Sequence, residues 1–467
     1  MKARLAFLLL PLVATGCAVG PNYKRPPVQP PDQYRGAPAS GTAASLADEK
    51  WFDLFQDETL KQLVTTALEH NFDLGIASER VLEARARFRI SEAAQFPLLG
   101  VQGQFTASRA SSVGSNTRVT PGTSSDVSYT QAGVALSWEL DFWGRVRRLK
   151  ESARAQYLAT EEGRRGVVVS LIGDVAGGYF TLRESDLELD IADHTRDIAA
   201  QNLKLVQLRH DRGAGTGLDV HQAEQFLYTA TAQIASTQRD IAQAENALSL
   251  LVGSIPGDIA RGKTLDQFTF PAEVPPGLPS SLLERRPDIR QAEETLIAAN
   301  AQIGVAKALY FPQISLSGFV GGQSRALSDL FTAPARDWFG GPSAALLLPV
   351  FQAGQIRAGV RLSEAQKREM VLTYQKTIYN AFREVSDALA GYDYTRRQRT
   401  EQELLVNALT ETTRLSTLRY QGGLDSYLQV LDAERNLFQG QLALARLRLQ
   451  ETLWFVQIYR ALGGGWQ

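Results

Sequence analysis

The sequence predicts a mainly α-helical protein that also carries β-strands of the length and patterning used in membrane barrels. Three observations predict it. The chain is written twice, each copy holds a helical run far longer than a globular core needs, and each holds short segments that alternate polar and apolar. Composition sets the limits. With 467 residues, 44% hydrophobic and 21% charged, there is material for a large core. A net charge of −1 gives no basic surplus for nucleic acid. After the first dozen or so residues no apolar run reaches the ~18 that a spanning helix requires, so a bundle of membrane helices is excluded. One cysteine excludes a disulfide framework and any multi-cysteine zinc site, and His70, His194, His210 and His221 lack metal-ligand spacing.

Residues 1–16 read as a secretory signal: Lys2 and Arg4, the apolar stretch Leu5–Val13, then small residues. Ala14-Thr15-Gly16-Cys17 resembles a lipobox, in which cleavage precedes the cysteine and its thiol receives diacylglycerol. Ala14 departs from the usual leucine, and the plainer reading is ordinary cleavage with a leftover thiol. Ala18, not Asp, follows, as in lipoproteins of the outer membrane. Residues 17–50 are then a lipidated, extended tether rich in Pro, Gly, Ala and Ser.

Two repeats follow, 51–253 and 281–467, joined by a Pro- and Gly-containing linker, 254–280. Leu68-Glu69-His70-Asn71-Phe72-Asp73-Leu74 returns as Leu283-Glu284-Arg285-Arg286-Pro287-Asp288-Ile289, and Phe96-Pro97 as Phe311-Pro312, about 215 residues later. Beyond a shorter loop the offset becomes about 210: Leu208-Arg209 matches Leu418-Arg419, and Ala223-Glu224 matches Ala433-Glu434.

Each copy has one grammar. A helical segment over 58–96 ends where proline disfavours helix. In the next segment Leu99, Val101, Phe105 and Ala107 oppose Gln102, Gln104, Thr106 and Ser108. Then Val134, Leu136, Trp138 and Leu140 oppose Gln131, Ser137, Glu139 and Asp141. In copy two Ile314, Leu316 and Val320 oppose Gln313, Ser315 and Ser317, while the fourth strand, near 343–351, alternates poorly. Segments of ~10 alternating residues suit a membrane strand, yet a soluble half-buried hairpin alternates identically. The helices favour the barrel. Residues 144–210 are helical without proline, about 100 Å at 1.5 Å per residue. Val168, Ile172, Val175, Tyr179, Leu182 and Leu189 make one stripe and Leu187, Ile191, Ile198 and Leu205 a second, so this helix grips neighbours on both sides. A glycine turn (Gly213, Gly215, Gly217) reverses it into a return helix to Val252. Copy two runs 354–420, turns at Gly422 and Gly423, and returns to Leu462.

The assembled motifs resemble the outer-membrane factor family of TolC type, in its lipoprotein branch typified by OprM. They are Gly16-Cys17, Gly20-Pro21 with Tyr23 and Arg25-Pro26, Trp51-Phe52, Trp138-Glu139-Leu140-Asp141 with Gly144-Arg145, Gly277-Leu278-Pro279-Ser280, Arg285-Arg286-Pro287-Asp288-Ile289, Tyr310-Phe311-Pro312, Tyr427-Leu428, Leu431-Asp432-Ala433 and Ala461-Leu462-Gly463-Gly464-Gly465-Trp466. The resemblance implies a homotrimer with four strands per subunit, closing a 12-stranded barrel in the outer membrane of a Gram-negative bacterium. A long periplasmic α-helical barrel would continue it. It also implies a periplasmic adaptor (membrane fusion) protein and an inner-membrane RND-type pump as partners, and N-acyl and S-diacylglycerol lipid on Cys17 with no other cofactor. The residues alone require only some oligomer, because four strands cannot close a barrel and bacterial barrels need at least eight.

No nucleophile elbow and no phosphate-cradling loop is present, so no enzyme is expected. By the same resemblance the periplasmic aperture is lined just past the second glycine turn by Leu428, Asp432 and Arg435, with Tyr420 as neighbour. The three fall at i, i+4 and i+7 on one helix face. Copies of Asp432 repel one another unless cations or Arg435 intervene, and Asp432–Arg435 pairing is expected to hold the aperture shut, with Leu428 adding an apolar ring. A solvated face with an ordinary i,i+3 ion pair reads the same residues more simply. Gly213, Gly215, Gly217, Gly422 and Gly423 are candidates for adaptor contact, and equally permit a tight reversal. Trp138 and Trp338 suit an aromatic girdle or a packed core, and loops 109–128 and 323–337 suit extracellular connections. The function these readings support is a passive exit duct for drugs or other small molecules. Alternatives are metal-ion efflux, for which the chain lacks a methionine-lined path, secretion, and a non-conducting tethered coiled-coil scaffold.

Overall fold

The computed structural model describes residues 18–36, 45–48, 57–109, 126–268, 270–271, 274–332 and 337–464. The signal segment, Cys17, Trp51, Phe52, Trp466, most of loop 109–128 and residues 333–336 lie outside the described residues, as does the side chain of Trp338. In chain order the elements are α1 (Glu58–His70), α2 (Phe72–Ala93), β1 (Leu98–Arg109), β2 (Asp126–Leu140), α3 (Arg145–Asp211) and α4 (Gly217–Leu251). The second repeat follows with α5 (Pro279–Arg285), α6 (Pro287–Ala308), β3 (Gln313–Ser324), β4 (Asp337–Leu347), α7 (Gln355–Gln421) and α8 (Tyr427–Ala461). Repetition holds to the residue: α2 and α6 have 22 residues, α3 and α7 have 67, and α4 and α8 have 35.

Two elements depart from expectation. The helical segment 58–96 is two helices, broken at Asn71, whose backbone is extended (φ −64°, ψ 130°). The Asn71 side chain makes the break worth having. Its Oδ1 accepts the Leu74 N–H (2.9 Å) and its Nδ2 donates to the Leu251 carbonyl at the end of α4 (2.9 Å). In the second repeat Pro287 forces the break, and Arg286 takes the place of Asn71. Arg286 donates to the matching carbonyl, Ala461 (2.9 Å), while the cap for the Ile289 N–H passes to Asp288 (2.9 Å), since arginine has no acceptor. Arg286 also binds Glu384 (2.8 Å) and Asp288 (2.7 Å). The fourth strand spans Asp337–Leu347 rather than 343–351. Gly340, Gly341 and Pro342 erase its alternation, and Leu348 and Val350, apolar but beyond the strand, mimic one.

The chain divides into two compact units, each drawing on both repeats. One comprises the described residues of 1–26 with 82–159 and 293–373. It holds a single antiparallel sheet in the order β1-β2-β3-β4. Register sorts its side chains. Val101 faces Val134, Val134 faces Val320 and Leu316 faces Ala344, so one face collects Leu99, Val101, Phe105, Val134, Leu136, Trp138, Ile314, Leu316, Val320 and Leu346. The other face carries Gln102, Gln104, Gln131, Ser137, Ser315, Ser317 and Gln323, with Gln131 donating to Gln104 (2.9 Å). A half-buried soluble hairpin covers its apolar face. Here Val101 is 87% exposed, Phe105 67% and Val320 60%. On the polar face Gly133 and Gly321 pair, and the Phe319 ring lies over them; a Cβ on Gly133 would stand 2.7 Å from Phe319 Cζ. The Trp138 indole donates to the Gln95 carbonyl (3.0 Å) at the end of the sheet nearest α2.

Residues 18–36 form neither helix nor strand, and residues 19–23 are docked. Val19 donates to Trp143 O (2.9 Å), Arg148 to Asn22 (2.8 Å), Asn300 to Pro21 O (2.9 Å), and Tyr23 to Glu293 (3.0 Å). In the loop before β4, Ser328–Phe331 form a 3-10 turn with Leu330 buried. Among the described residues no helix is long and apolar enough to cross a membrane.

The second unit, 27–81, 160–292 and 374–467, is helical. Its cores draw on the first α3 stripe, with Ile172, Val175, Tyr179 and Leu182 buried, and on Phe455, Ile458 and Tyr459 of α8; of the second stripe Leu187, Ile191 and Leu205 are half-buried and Ile198 is exposed.

Candidate functional site

The two hairpin turns lie in the helical unit and share one backbone. Gly213 (φ 75°) and Gly423 (φ 73°) each take the left-handed conformation that ends a helix. Gly213 donates to His210 O (2.8 Å) and Ala214 to Arg209 O (2.8 Å); Gly423 donates to Tyr420 O (3.0 Å) and Leu424 to Arg419 O (2.9 Å). Gly215, Gly217 and Gly422 have no such requirement, and Gly217 already opens α4.

Side chains then separate the turns. Thr216 and Asp219 form a reciprocal capping box at the start of α4, whereas Ser426 makes no side-chain cap for α8. Instead Arg419 clasps Asp425 through two bonds (2.5 and 3.0 Å) across the second turn, which holds the Asp425 carboxyl below its usual range. Its counterpart Arg209 does something else. It donates to the Tyr420 carbonyl (2.8 Å) and sits 4.5 Å over the Tyr420 ring, stitching the first repeat to the second.

Leu428, Asp432 and Arg435 are all exposed along one stripe of α8, as their spacing predicts. Tyr420 does not share that stripe. It is buried, 5.5 Å from the Tyr427 ring, in a core that includes Ala199, Val206, Phe226, Val430 and Phe438. Nor does Asp432 pair with Arg435 inside one chain; its carboxylate accepts from Asn436 (3.2 Å), one turn on. A solvated aspartate finds its nearest donor at i+4, where the helix brings side chains together. In the first repeat Leu218 and Gln225 are exposed and Gln222 half-buried, so the matching stripe is uncharged.

The structure adds one residue to the sequence reading. Glu434 is buried behind the stripe, accepts from Asn202 of α3 through Oε1, and has no partner for Oε2 among the described residues. Burial pushes its carboxyl up to about 7 against the lowering effect of the Asn202 bond. Within Asp432-Ala433-Glu434-Arg435 it looks solvated. The signal was its spacing, four residues from both Val430 and Phe438 and seven from Tyr427.

An open sheet with an uncovered apolar face, joined to long helical hairpins with matched turns, defines a membrane-channel component. The chain belongs to the outer membrane efflux protein family, whose model matches residues 63–254 and 278–464, one stretch in each repeat. It is 40% identical to the solvent efflux pump outer membrane protein SrpC of Pseudomonas putida, over all of this chain and 99% of that one. It is 36% identical to the cation efflux system protein CusC of Escherichia coli, over 98% and 97%. A solved membrane protein from Pseudomonas aeruginosa matches with a TM-score of 0.85 at 34% identity, over 96% of this chain and 100% of that one. The open state of the Neisseria gonorrhoeae MtrE outer membrane channel matches at 0.84 and 30%, over 97% and 99%. The protein is an outer-membrane channel component of an efflux system, with the TolC-like fold.

Proposed function

We propose that three copies assemble into a 12-stranded barrel continued by a periplasmic helical barrel, and that this duct passively releases drug-type small molecules. A periplasmic adaptor, received at the glycine turns, and an inner-membrane RND-type pump would deliver the cargo. Lipid on Cys17 would anchor each copy to the outer membrane. The observation that carries the reading is the uncovered apolar face of a sheet too narrow to close alone, which lipid and further strands would satisfy together. Relatives named for solvent and toluene efflux, at 40% identity, support apolar cargo. No chemical step is assigned to the chain.

The aperture lies at the α8 stripe. Because Asp432 and Arg435 are not paired within a chain, their attraction is available across copies, where it closes the ring. The test is single-channel conductance in planar bilayers, comparing the wild-type protein with Asp432→Ala/Arg435→Ala. Small wild-type openings and a severalfold larger conductance in the variant are the expected result. Equal conductance would keep the duct and remove the gate. Silence from well-folded protein of both kinds would replace the duct by a tethered scaffold.

A further inference from the structure

The stripe assigned to the aperture has a reverse side. Asp432 and Glu434 are two residues apart, about 200° around α8, so one meets solvent and the other the core. We propose that the Glu434 carboxyl latches α8 to α3 only while it is protonated, so that the aperture closes in acid and opens as pH rises. The proposal rests on the aperture reading above and names its regulation.

The surroundings of Glu434 offer a charge no compensation. The residue is 5% exposed, Oε1 accepts from Asn202 Nδ2, and Oε2 has no partner among the described residues. From α3 come the neutral Asn202 amide and, further along, Arg209, which is committed to the Tyr420 carbonyl and ring. From α4 come the apolar Ala223 and Phe226, while Asp219 is tied into the capping box with Thr216. The end of α7 adds the Tyr420 ring, and α8 itself adds Tyr427, with Arg435 turned to the exposed stripe. None of these brings a cation to the carboxyl, and burial keeps it protonated to about pH 7.

Two comparisons within the chain set this carboxyl apart. On the same seam Glu188 of α3 meets Arg446 of α8 (2.9 Å), the kind of partner that Glu434 lacks. In the first repeat the counterpart of Glu434 is Glu224, half-buried and bonded to the exposed His221 (2.9 Å), so solvent and imidazole both serve it. The uncompensated carboxyl therefore sits on the helix with the charged stripe, not on its uncharged equivalent.

Linkage gives the sign. With the aperture closed, Glu434 stays buried and protonated up to about pH 7. With α8 lifted from α3, water reaches the carboxyl and returns it to the ordinary 4.5. Between those values the closed state binds the extra proton. Raising pH through that window multiplies the open-to-closed ratio by up to about tenfold per unit, and above it the ratio is level. Asp432 moves with Glu434 because both lie within one turn of the same helix.

The experiment is single-channel recording of the full-length protein in planar bilayers at pH 5 and pH 8. The wild-type open-to-closed ratio is expected to rise at least about tenfold between them. Glu434→Gln keeps the shape, cannot ionise, and is expected to hold the low ratio at both. Asn202→Leu removes the donor to Oε1 and is expected to move the midpoint of the rise to higher pH, which a purely structural role would not do. Asp432→Asn alters the exposed stripe and is expected to enlarge the openings yet keep their pH dependence. A flat wild-type ratio, or a rise that Glu434→Gln retains, would overturn the latch and leave the duct in place. Silence from well-folded protein in both buffers would overturn the duct, and the latch with it.

Discussion

Arg286→Met is expected to destabilise the helical unit by about 3 kcal/mol, read as a lower midpoint in guanidinium unfolding followed by far-ultraviolet circular dichroism. The guanidinium is buried and serves three partners: the Ala461 carbonyl, Glu384 and Asp288. Methionine fills the space but leaves Glu384 without its cation and the end of α8 without its donor. Glu384 is half-buried, so water recovers part of the loss, which keeps the figure at the lower end for a broken buried pair. Adding Glu384→Gln should restore some of it, because the uncompensated charge is then gone. A cost below about 1 kcal/mol would mean that solvent replaces the arginine, and that the α5–α6 joint does not depend on it.

The second large effect is a pH dependence. In the folded chain the Glu434 carboxyl stays protonated up to about pH 7, against 4.5 for an ordinary glutamate. Between those values unfolding releases a proton, so stability falls as pH rises through the window and is level above it. The full effect is on the order of 3 kcal/mol. Tyr427, whose hydroxyl burial holds protonated, and the neutral amide of Asn202 face Glu434 and offer it no cation. Glu434→Gln keeps the shape and removes the proton. At pH 8 it is expected to unfold at higher denaturant than the wild-type protein, and at pH 5 at nearly the same. A wild-type midpoint that does not change between pH 5 and 8 beyond the change in the variant would show that Glu434 is hydrated in the assembled protein.

Most of the architecture was legible because repetition and periodicity both write it. The reading of 144–210 as helix meets α3 at Arg145–Asp211, and the offset change falls between the strands, where loop lengths differ. Local exceptions were harder. Asn71 breaks a helix without proline or glycine, using a side chain whose long-range partner, Leu251, no local pattern reveals. Comparison with Pro287 in the second copy would have exposed the break. The fourth strand was misplaced because Gly340, Gly341 and Pro342 remove the alternation that marks a strand. At the turns, spacing placed Leu428, Asp432 and Arg435 on one exposed stripe, but not Tyr420, whose aromatic ring follows the core. Burial of Glu434 ran against its charge, and only its spacing from Tyr427 and Phe438 held the information.

In the assembly proposed above, a lone copy is left with an unfinished sheet. Its helical cores close within the chain, where Leu60, Tyr179 and Phe455 lose nearly all contact with solvent, but its sheet keeps two open edges and an apolar face. If copies assemble as proposed, maturation is a reaction of higher order in chain concentration, fast when synthesis is brisk and stalled when it is sparse. In that stalled state the open strand edges are the expected point of proteolysis and misassociation. Channel abundance would then fall more steeply than expression, a threshold set by the sheet.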